Sequence, residues 1–225
     1  IRDRINTSLR KASLKLENGD VLVIAQKIVS KAENRYAYLN EILPTTAAEN
    51  LALEVEKDPR LVQLILDESK EVVAKRPGVL IVEHRMGYVH ANAGIDHSNI
   101  SSSEDEPRVL LLPNNPDKSA AKLCHELKTE QVSQLSIIIN DSAGRAWRNG
   151  SIGFAIGTNG FEVVENMVGH RDLYDREMVV TEVAVADELA AAASFLMGQA
   201  DESAPVVLIR GAKINPRNKG RGVLH

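Results

Sequence analysis

Asn18-Gly-Asp-Val-Leu-Val-Ile-Ala-Gln-Lys-Ile-Val-Ser-Lys31 is the stretch from which the architecture is read. Asn18-Gly19-Asp20 breaks a preceding helical pattern. Val21–Ala25 is then a buried strand by its length and β-branching. Polar Gln26, Lys27, Ser30 and Lys31 follow at the strand's end. Leu135–Ile139 has the same character, and Val79–Val82, Val109–Leu112 and Pro205–Ile209 are shorter strands of the kind. Gly87–Ala91 continues or partners Val79–Val82. Helical spacing lies between them. Arg4–Leu16 carries Ile5, Leu9, Ala12 and Leu16, and a second helix runs from Thr46 to about Glu56. Asp58-Pro59 is an N-cap followed by proline at the first helical position. The helix it opens is expected to run from Arg60 to about Lys75, with Leu61, Ile65, Leu66, Val72 and Val73 as its stripe, and to end at Pro77-Gly78. Asp117–Lys128 and the alanine-rich Thr181–Met197, stopped by Gly198, complete the helices. Strands and helices mix throughout, so the fold class is α/β or α+β.

Composition narrows the function. Of 225 residues, 44% are hydrophobic and 26% charged, which excludes bulk disorder. No apolar run approaches the roughly 20 residues of a membrane span. A net charge of −4 and 4% aromatic residues argue against nucleic acid as a partner. The single Cys124 permits neither an intramolecular disulfide nor a C-x-x-C site, and a reducing cytoplasm is the expected compartment. Ile1–Ile5 is no signal peptide and carries no initiating methionine, as in a piece of a longer chain. Ser101–Pro107 is an exposed acidic linker that does not by itself divide two domains. Glycines 144, 150, 153, 157 and 160 predict tight turns and close backbone approach. The basic tail Lys213–His225 is expected to be mobile.

Several chemistries are absent from the sequence. There is no P-loop, no G-x-G-x-x-G and no G-x-S-x-G. The six histidines show no zinc spacing. Four strings carry candidate chemistry, each beside a plainer reading. In Asn92–Asn99, Asp96 and Asn99 bring together oxygen donors of the kind that hard cations take; an Asx-rich turn is the alternative. In Ile137–Arg148, Asp141 and Ser142 sit just past a buried strand, where ligands favour α/β sheets. There Gly144 frees the backbone, and Arg145 or Arg148 could grip an anion. Polar residues capping a following helix, with solvated arginines, are the alternative. Lys27 and Lys31 are point charges for phosphate or a solvated strand end. Asp187 and Glu188 point about 100° apart on their helix and make no carboxylate pair; the small residues around them suit close helix packing, with a subunit interface as one place for it. Together the strings indicate a metal-and-phosphate site built without a P-loop.

The strings Gly19–Val23, Gln26–Glu33, Lys57–Arg60, Ala91–Asn99, Leu112–Ala120, Asp141–Arg148, Ala155–Gly157, Thr181–Ala190 and Pro205–Gly211, in this order and spacing, resemble the coenzyme F420-0:γ-glutamyl ligase family. The match covers nearly the whole chain, and Asn92-Ala-Gly-Ile-Asp-His-Ser-Asn99 and Asp141-Ser-Ala-Gly-Arg-Ala-Trp-Arg148 are its specific strings. The resemblance implies a single ligase-like domain over 1–225, an unusual α/β fold without a P-loop, and an intertwined homodimer. It implies a GTP-dependent amide ligase that joins L-glutamate to F420-0. Metal ligands carry over to Asp96, Asp141 and Ser142, and Gln199 falls near a further metal and nucleotide segment. Lys31 and Asn99 match nucleotide-contacting positions of the family, and Gln26 and Lys27 lie where others of them do. Lys31, Asp96 and Asp141 are the expected catalytic residues, and Arg145 and Arg148 the candidate substrate anchors. The implied cofactors are Mg²⁺ or Mn²⁺, with K⁺ as a further candidate, and GTP as co-substrate. The chain departs from the family at Ala143, Ala146, Val168 and Asp175, where an aromatic, a proline, an arginine and a glycine are usual. The family's N-terminal strand and Pro-containing loop have no counterpart ahead of Ile1, and its usual C-terminal end extends beyond His225. A same-fold ligase for another carboxylate cofactor, or a non-catalytic nucleotide-binding protein, are the alternatives.

Overall fold

A computed structural model describes residues 1–103 and 105–216, so the part of the basic tail beyond Pro216 lies outside the described residues. Helix α1 (Arg2–Lys11) buries Ile5 and stops short of the expected Leu16. Ser13 takes the left-handed conformation at φ 55°, and the Leu14 N–H closes back onto the Leu9 carbonyl at 2.9 Å. Strand β1 (Asp20–Ala25) is buried almost throughout and leads directly into α2 (Gln26–Ala32). After β2 (Tyr36–Tyr38), Thr45 caps α3 (Thr46–Val55) and Asp58 caps α4 (Pro59–Asp67), the latter accepting from the Arg60 N–H at 2.8 Å.

Helix α4 does not continue to Lys75. Ser69–Arg76 is a strand, β3, that pairs antiparallel with β4 (Val79–His84), with Arg76 opposite Val79. Pro77-Gly78 is thus a two-residue hairpin turn, with Gly78 at φ +77°. Strand β5 (Val89–Ala91) completes this three-stranded sheet, and β6 (Arg108–Leu110) pairs with β2. Helix α5 (Pro116–Leu127) follows, capped by Asn115.

The chain then forms β7 (Leu135–Arg145) and β8 (Arg148–Asn159), an antiparallel pair that turns at Ala146-Trp147. The buried strand expected over Leu135–Ile139 therefore runs six residues further, and the glycine-rich stretch is mostly strand rather than turns. Close approach holds at two of its glycines. A Cβ on Gly153 would lie 2.3 Å from Ser194 Cβ, and one on Gly157 would lie 2.4 Å from Pro116. Strands β9 (Glu165–Asn166) and β10 (Glu182–Val183) pair with each other. Helix α6 (Val185–Met197) accordingly starts four residues after the expected Thr181. Strand β11 (Val206–Ile209) closes the order.

The main sheet runs β11-β1-β7-β8, with β1 parallel to β7 and the outer pairs antiparallel. Its side chains alternate between two cores. Leu22, Ile24, Ile137 and Ile139 meet Leu123 and Leu127 of α5, while Val21, Val23 and Ile138 meet Ala190 and Ala193 of α6. A third cluster joins α3 and α4 to Leu80, Val82 and Val109. The class is thus mixed α/β with several small sheets around one larger one. No helix among the described residues is long and apolar enough to cross a membrane.

Candidate active site

The parallel pairing of β1 with β7 ends at Ala25 opposite Asn140. Asp141 and Ser142 are the next two residues of β7, so they project beyond the carboxyl end of β1, where open α/β sheets bind ligands. They do not lie past the end of their own strand, as the sequence pattern implied, because β7 continues in its pairing with β8. Just ahead of them, opposite Ile139 and Asn140, β8 bulges. The register steps from Gly157 to Ala155 while β7 advances from Ile139 to Asn140, leaving Ile156 as the extra residue. The bulge is tied at two points. The Ala155 N–H donates to Asp187 Oδ1 at 2.9 Å, and the Tyr88 hydroxyl donates to the Ile156 carbonyl. Asp187 thus holds the bulge from within the chain.

A cleft of about 470 Å³ opens at this edge. Gln26, Lys27 and Lys31 of α2 line it, as do Asp96, Asn99, Asp141, Ser142 and Gln199. These eight residues come from four separated segments. Asp96 follows a turn in which Asn92, Ala93 and Gly94 all have positive φ. Its backbone is fixed by two hydrogen bonds with Leu110, at 2.9 and 3.0 Å. Its Oδ1 accepts from Ser98 Oγ at 3.0 Å, and its Oδ2 pairs with Lys27 Nζ at 2.9 Å. The Asx turn and the cleft-lining carboxylate are thus one structure. Lys31 Nζ donates to the Asn99 carbonyl at 2.6 Å, and Asn99 Nδ2 donates to the Ala200 carbonyl at 3.0 Å. Gln199, just past α6, donates through Nε2 to Ser194 Oγ at 3.1 Å. Gln26 is buried and accepts from Ser30 Oγ at 2.9 Å.

Arg145 and Arg148 sit elsewhere. At about 3.3 Å of rise per residue, β7 carries Arg145 about 13 Å beyond Asp141. There Arg145 Nη1 donates to the Gly150 carbonyl at 3.1 Å, and Arg148 is exposed beside the turn. Neither lines the cleft, because the chain continues as a strand here instead of turning into a helix.

Three site features carried no signal that sequence reasoning used. His90, on β5, is buried between exposed Val89 and Ala91, an alternation visible only once the strand is known. Its ring lies 5.6 Å from that of Phe154, with Nδ1 3.0 Å from the Ala91 carbonyl and Nε2 3.2 Å from Asp141 Oδ2. Burial disfavours charge on this ring, but the hydrogen bond to Asp141 and its charge outweigh burial and raise the His90 pKa. The second feature is Asn140, whose buried Oδ1 has no hydrogen-bond partner among the described residues. The third is Ser194, which receives Gln199.

No group of three His, Cys, Asp or Glu among the described residues could hold a metal by itself. The donors at the cleft are two carboxylates, the Ser142 hydroxyl and the Gln199 amide oxygen. That sparse oxygen set suits Mg²⁺ or Mn²⁺, which complete their coordination with water and substrate phosphate. Each carboxylate already meets a side chain of another segment, Lys27 at Asp96 and His90 at Asp141.

A model of the F420-0:gamma-glutamyl ligase family matches residues 1–211. The coenzyme F420:L-glutamate ligase of Methanocaldococcus jannaschii is 42% identical over 98% of this chain and 86% of its own length. The proteins of that name from Methanothermobacter thermautotrophicus and Methanococcus maripaludis are 45% and 44% identical, each over 92% of this chain and 81% of their own lengths. On a match that spans all but its last residues, the chain belongs to the F420-0:gamma-glutamyl ligase family.

Proposed function

We propose that the chain is a GTP-dependent ligase that joins L-glutamate to F420-0, releasing GDP and phosphate. The observation that carries this reading is the meeting of Lys27, Lys31, Asp96, Asp141, Ser142 and Gln199 in one cleft beyond β1. In the first step a carboxylate oxygen of F420-0 attacks the γ-phosphorus of GTP. The bond from that phosphorus to the β-phosphate oxygen breaks, GDP leaves, and an acyl phosphate forms. In the second, the amine of glutamate attacks the acyl carbon, phosphate leaves, and the amine gives up its proton as the amide forms. Lys31 and Lys27 serve as point charges for the phosphates, in a cleft whose walls reduce screening by water. Asn99, held by Lys31 and Ala200, and buried Gln26 are the polar groups that orient the nucleotide. Asp96, Asp141, Ser142 and Gln199 are the residues that would hold Mg²⁺ or Mn²⁺, which supplies charge neutralisation and in-line orientation of the phosphoryl group.

The protein is further proposed to work as a homodimer, because Trp147, Leu173, Val180 and Phe195 are all more than four-fifths exposed. Arg145 and Arg148 are retained as anchors only for a part of the substrate that reaches past the cleft. A second carboxylate cofactor in place of F420-0 is favoured by Ala143, which removes a ring next to Ser142.

The test is GDP release with GTP, L-glutamate and Mn²⁺, with and without F420-0, and with the product's mass read in parallel. F420-0-dependent release with a gain of one glutamyl residue is the expected result. GTP binding without F420-0-dependent turnover would favour the second cofactor.

A further inference from the structure

Asp96 and Asp141 are carried by separate segments of the chain. Asp96 follows β5 of the small sheet by five residues, and Asp141 lies on β7 of the main one. Their separation is therefore not set by either sheet alone. His90 ties the segment that carries Asp96 to the Asp141 side chain. It lies six residues before Asp96 on the same short segment, and its Nε2 meets Asp141 Oδ2 at 3.2 Å. The ring has little freedom to turn. Its Nδ1 is held by the Ala91 carbonyl at 3.0 Å, Phe154 packs on it at 5.6 Å, and it is 8% exposed. Asp141 Oδ1 is held in turn by the Ser142 N–H at 2.8 Å, so both carboxylate oxygens are fixed. With both ring nitrogens engaged, His90 itself has no nitrogen left to bind a cation.

We propose that His90 is a positioning residue for the cation site, holding the Asp141 carboxylate at a fixed distance and orientation from Asp96. The inference rests on the reading of Asp141 as a cation ligand. Mg²⁺-type sites demand near-octahedral geometry at about 2.0–2.1 Å, so a carboxylate that is free to swing forfeits affinity. Groups that hold a ligating residue are worth about 10–100-fold in metal affinity.

Mn²⁺ titrated in the presence of GTP, with free Mn²⁺ read by electron paramagnetic resonance, tests this alongside thermal midpoints. Compared with the parent are His90→Phe, His90→Gln, Phe154→Leu and Asp141→Ala. His90→Phe fills the space without a donor and is expected to weaken Mn²⁺ binding about 10–100-fold. His90→Gln, which keeps an N–H of similar reach, is expected to recover most of the loss. Phe154→Leu loosens the packing on the same ring but keeps the His90–Asp141 contact, and is expected to lower the midpoint with a much smaller loss of Mn²⁺ affinity than His90→Phe. If His90→Phe does not fold, His90→Asn, too short to reach Asp141, takes its place. Parent-like affinity in His90→Phe, with binding lost in Asp141→Ala, overturns the role of His90 and leaves the cation site standing. Parent-like affinity in Asp141→Ala removes the cation reading itself. An equal loss in Phe154→Leu and His90→Phe assigns the effect to packing and also overturns the inference.

Discussion

Gly153 is the residue on which the seating of α6 depends. Its φ is not in the left-handed region, so the constraint is space alone. A Cβ there would meet Ser194 Cβ at 2.3 Å and both the Ala190 carbonyl and Asn140 Oδ1 at 2.7 Å. Two of these three are rigid helix atoms, so α6 would have to move. Gly153→Ala is therefore expected to destabilise the protein by about 1–3 kcal/mol, as overpacked cores do. Because Ser194 and Asn140 both line the cleft, it is also expected to weaken GTP binding. Gly144→Ala, with nothing within 4 Å of the added carbon, is the control and is expected to stay within about 0.5 kcal/mol. Urea unfolding of the two variants checks the pair. The density of glycines in this stretch signalled close approach but not its location, since the partners Ser194 and Pro116 are distant in sequence. His90 was illegible for a related reason. A lone histidine has no spacing signature, and its meaning lies entirely in Asp141, fifty-one residues away.

At the scale of elements, legibility followed burial. β1 is apolar toward both of its cores and α5 along one stripe, and their patterns read correctly. β3 is almost wholly exposed and has no inward face, so Val72 and Val73 fell into register with the stripe of α4 and lengthened it. What ends α4 is a tertiary corner. Glu68, with its side chain 10% exposed, meets Arg85 at 3.1 Å, Arg35 at 3.2 Å and His84 Nε2 at 3.5 Å. Burial raises the Glu68 pKa, but the His84 ring and the Arg85 and Arg35 charges outweigh it and hold the carboxyl below its ordinary 4.5. A folded pKa below the unfolded one stabilises fully above about pH 4.5, and that stabilisation is lost as pH falls through the folded value. Glu68→Gln is accordingly expected to cost about 2 kcal/mol near neutrality, the scale of a hydrogen bond to a charged group. Its deficit against the parent should narrow as the pH is taken below 4.5. Urea unfolding across the acid range measures this. A deficit that stays constant into acid would place the effect in packing rather than charge.

For the whole molecule, the segment between β9 and β10 poses the main question. It is a β-hairpin arm, laddered by Met167 to Thr181, Gly169 to Met178 and Asp172 to Arg176 backbone hydrogen bonds. Leu173 is 100% exposed, Tyr174 78% and Val180 83%. A two-stranded hairpin with no third layer is marginal in water. An arm that keeps such side chains outside its own core has a second copy of the chain as its simplest cover, and a specific interface needs only about 1,200–2,000 Å² in total. The parent is therefore expected to sediment at about twice its 24.6 kDa at micromolar concentration. Leu173→Asp combined with Val180→Asp is expected to sediment as a monomer whose arm is cut faster by protease. A parent that sediments as a monomer removes the dimer. The monomeric variant also answers a question about the site. The eight candidate residues of the cleft, from Gln26 to Gln199, all belong to the same chain, so Mn²⁺ and GTP affinity are expected to survive the loss of the partner. Binding that fell with dissociation would mean that the second copy completes the cleft. The exposed β7–β8 turn, with Arg145, Trp147 and Arg148, would then be the first segment to test for reaching across.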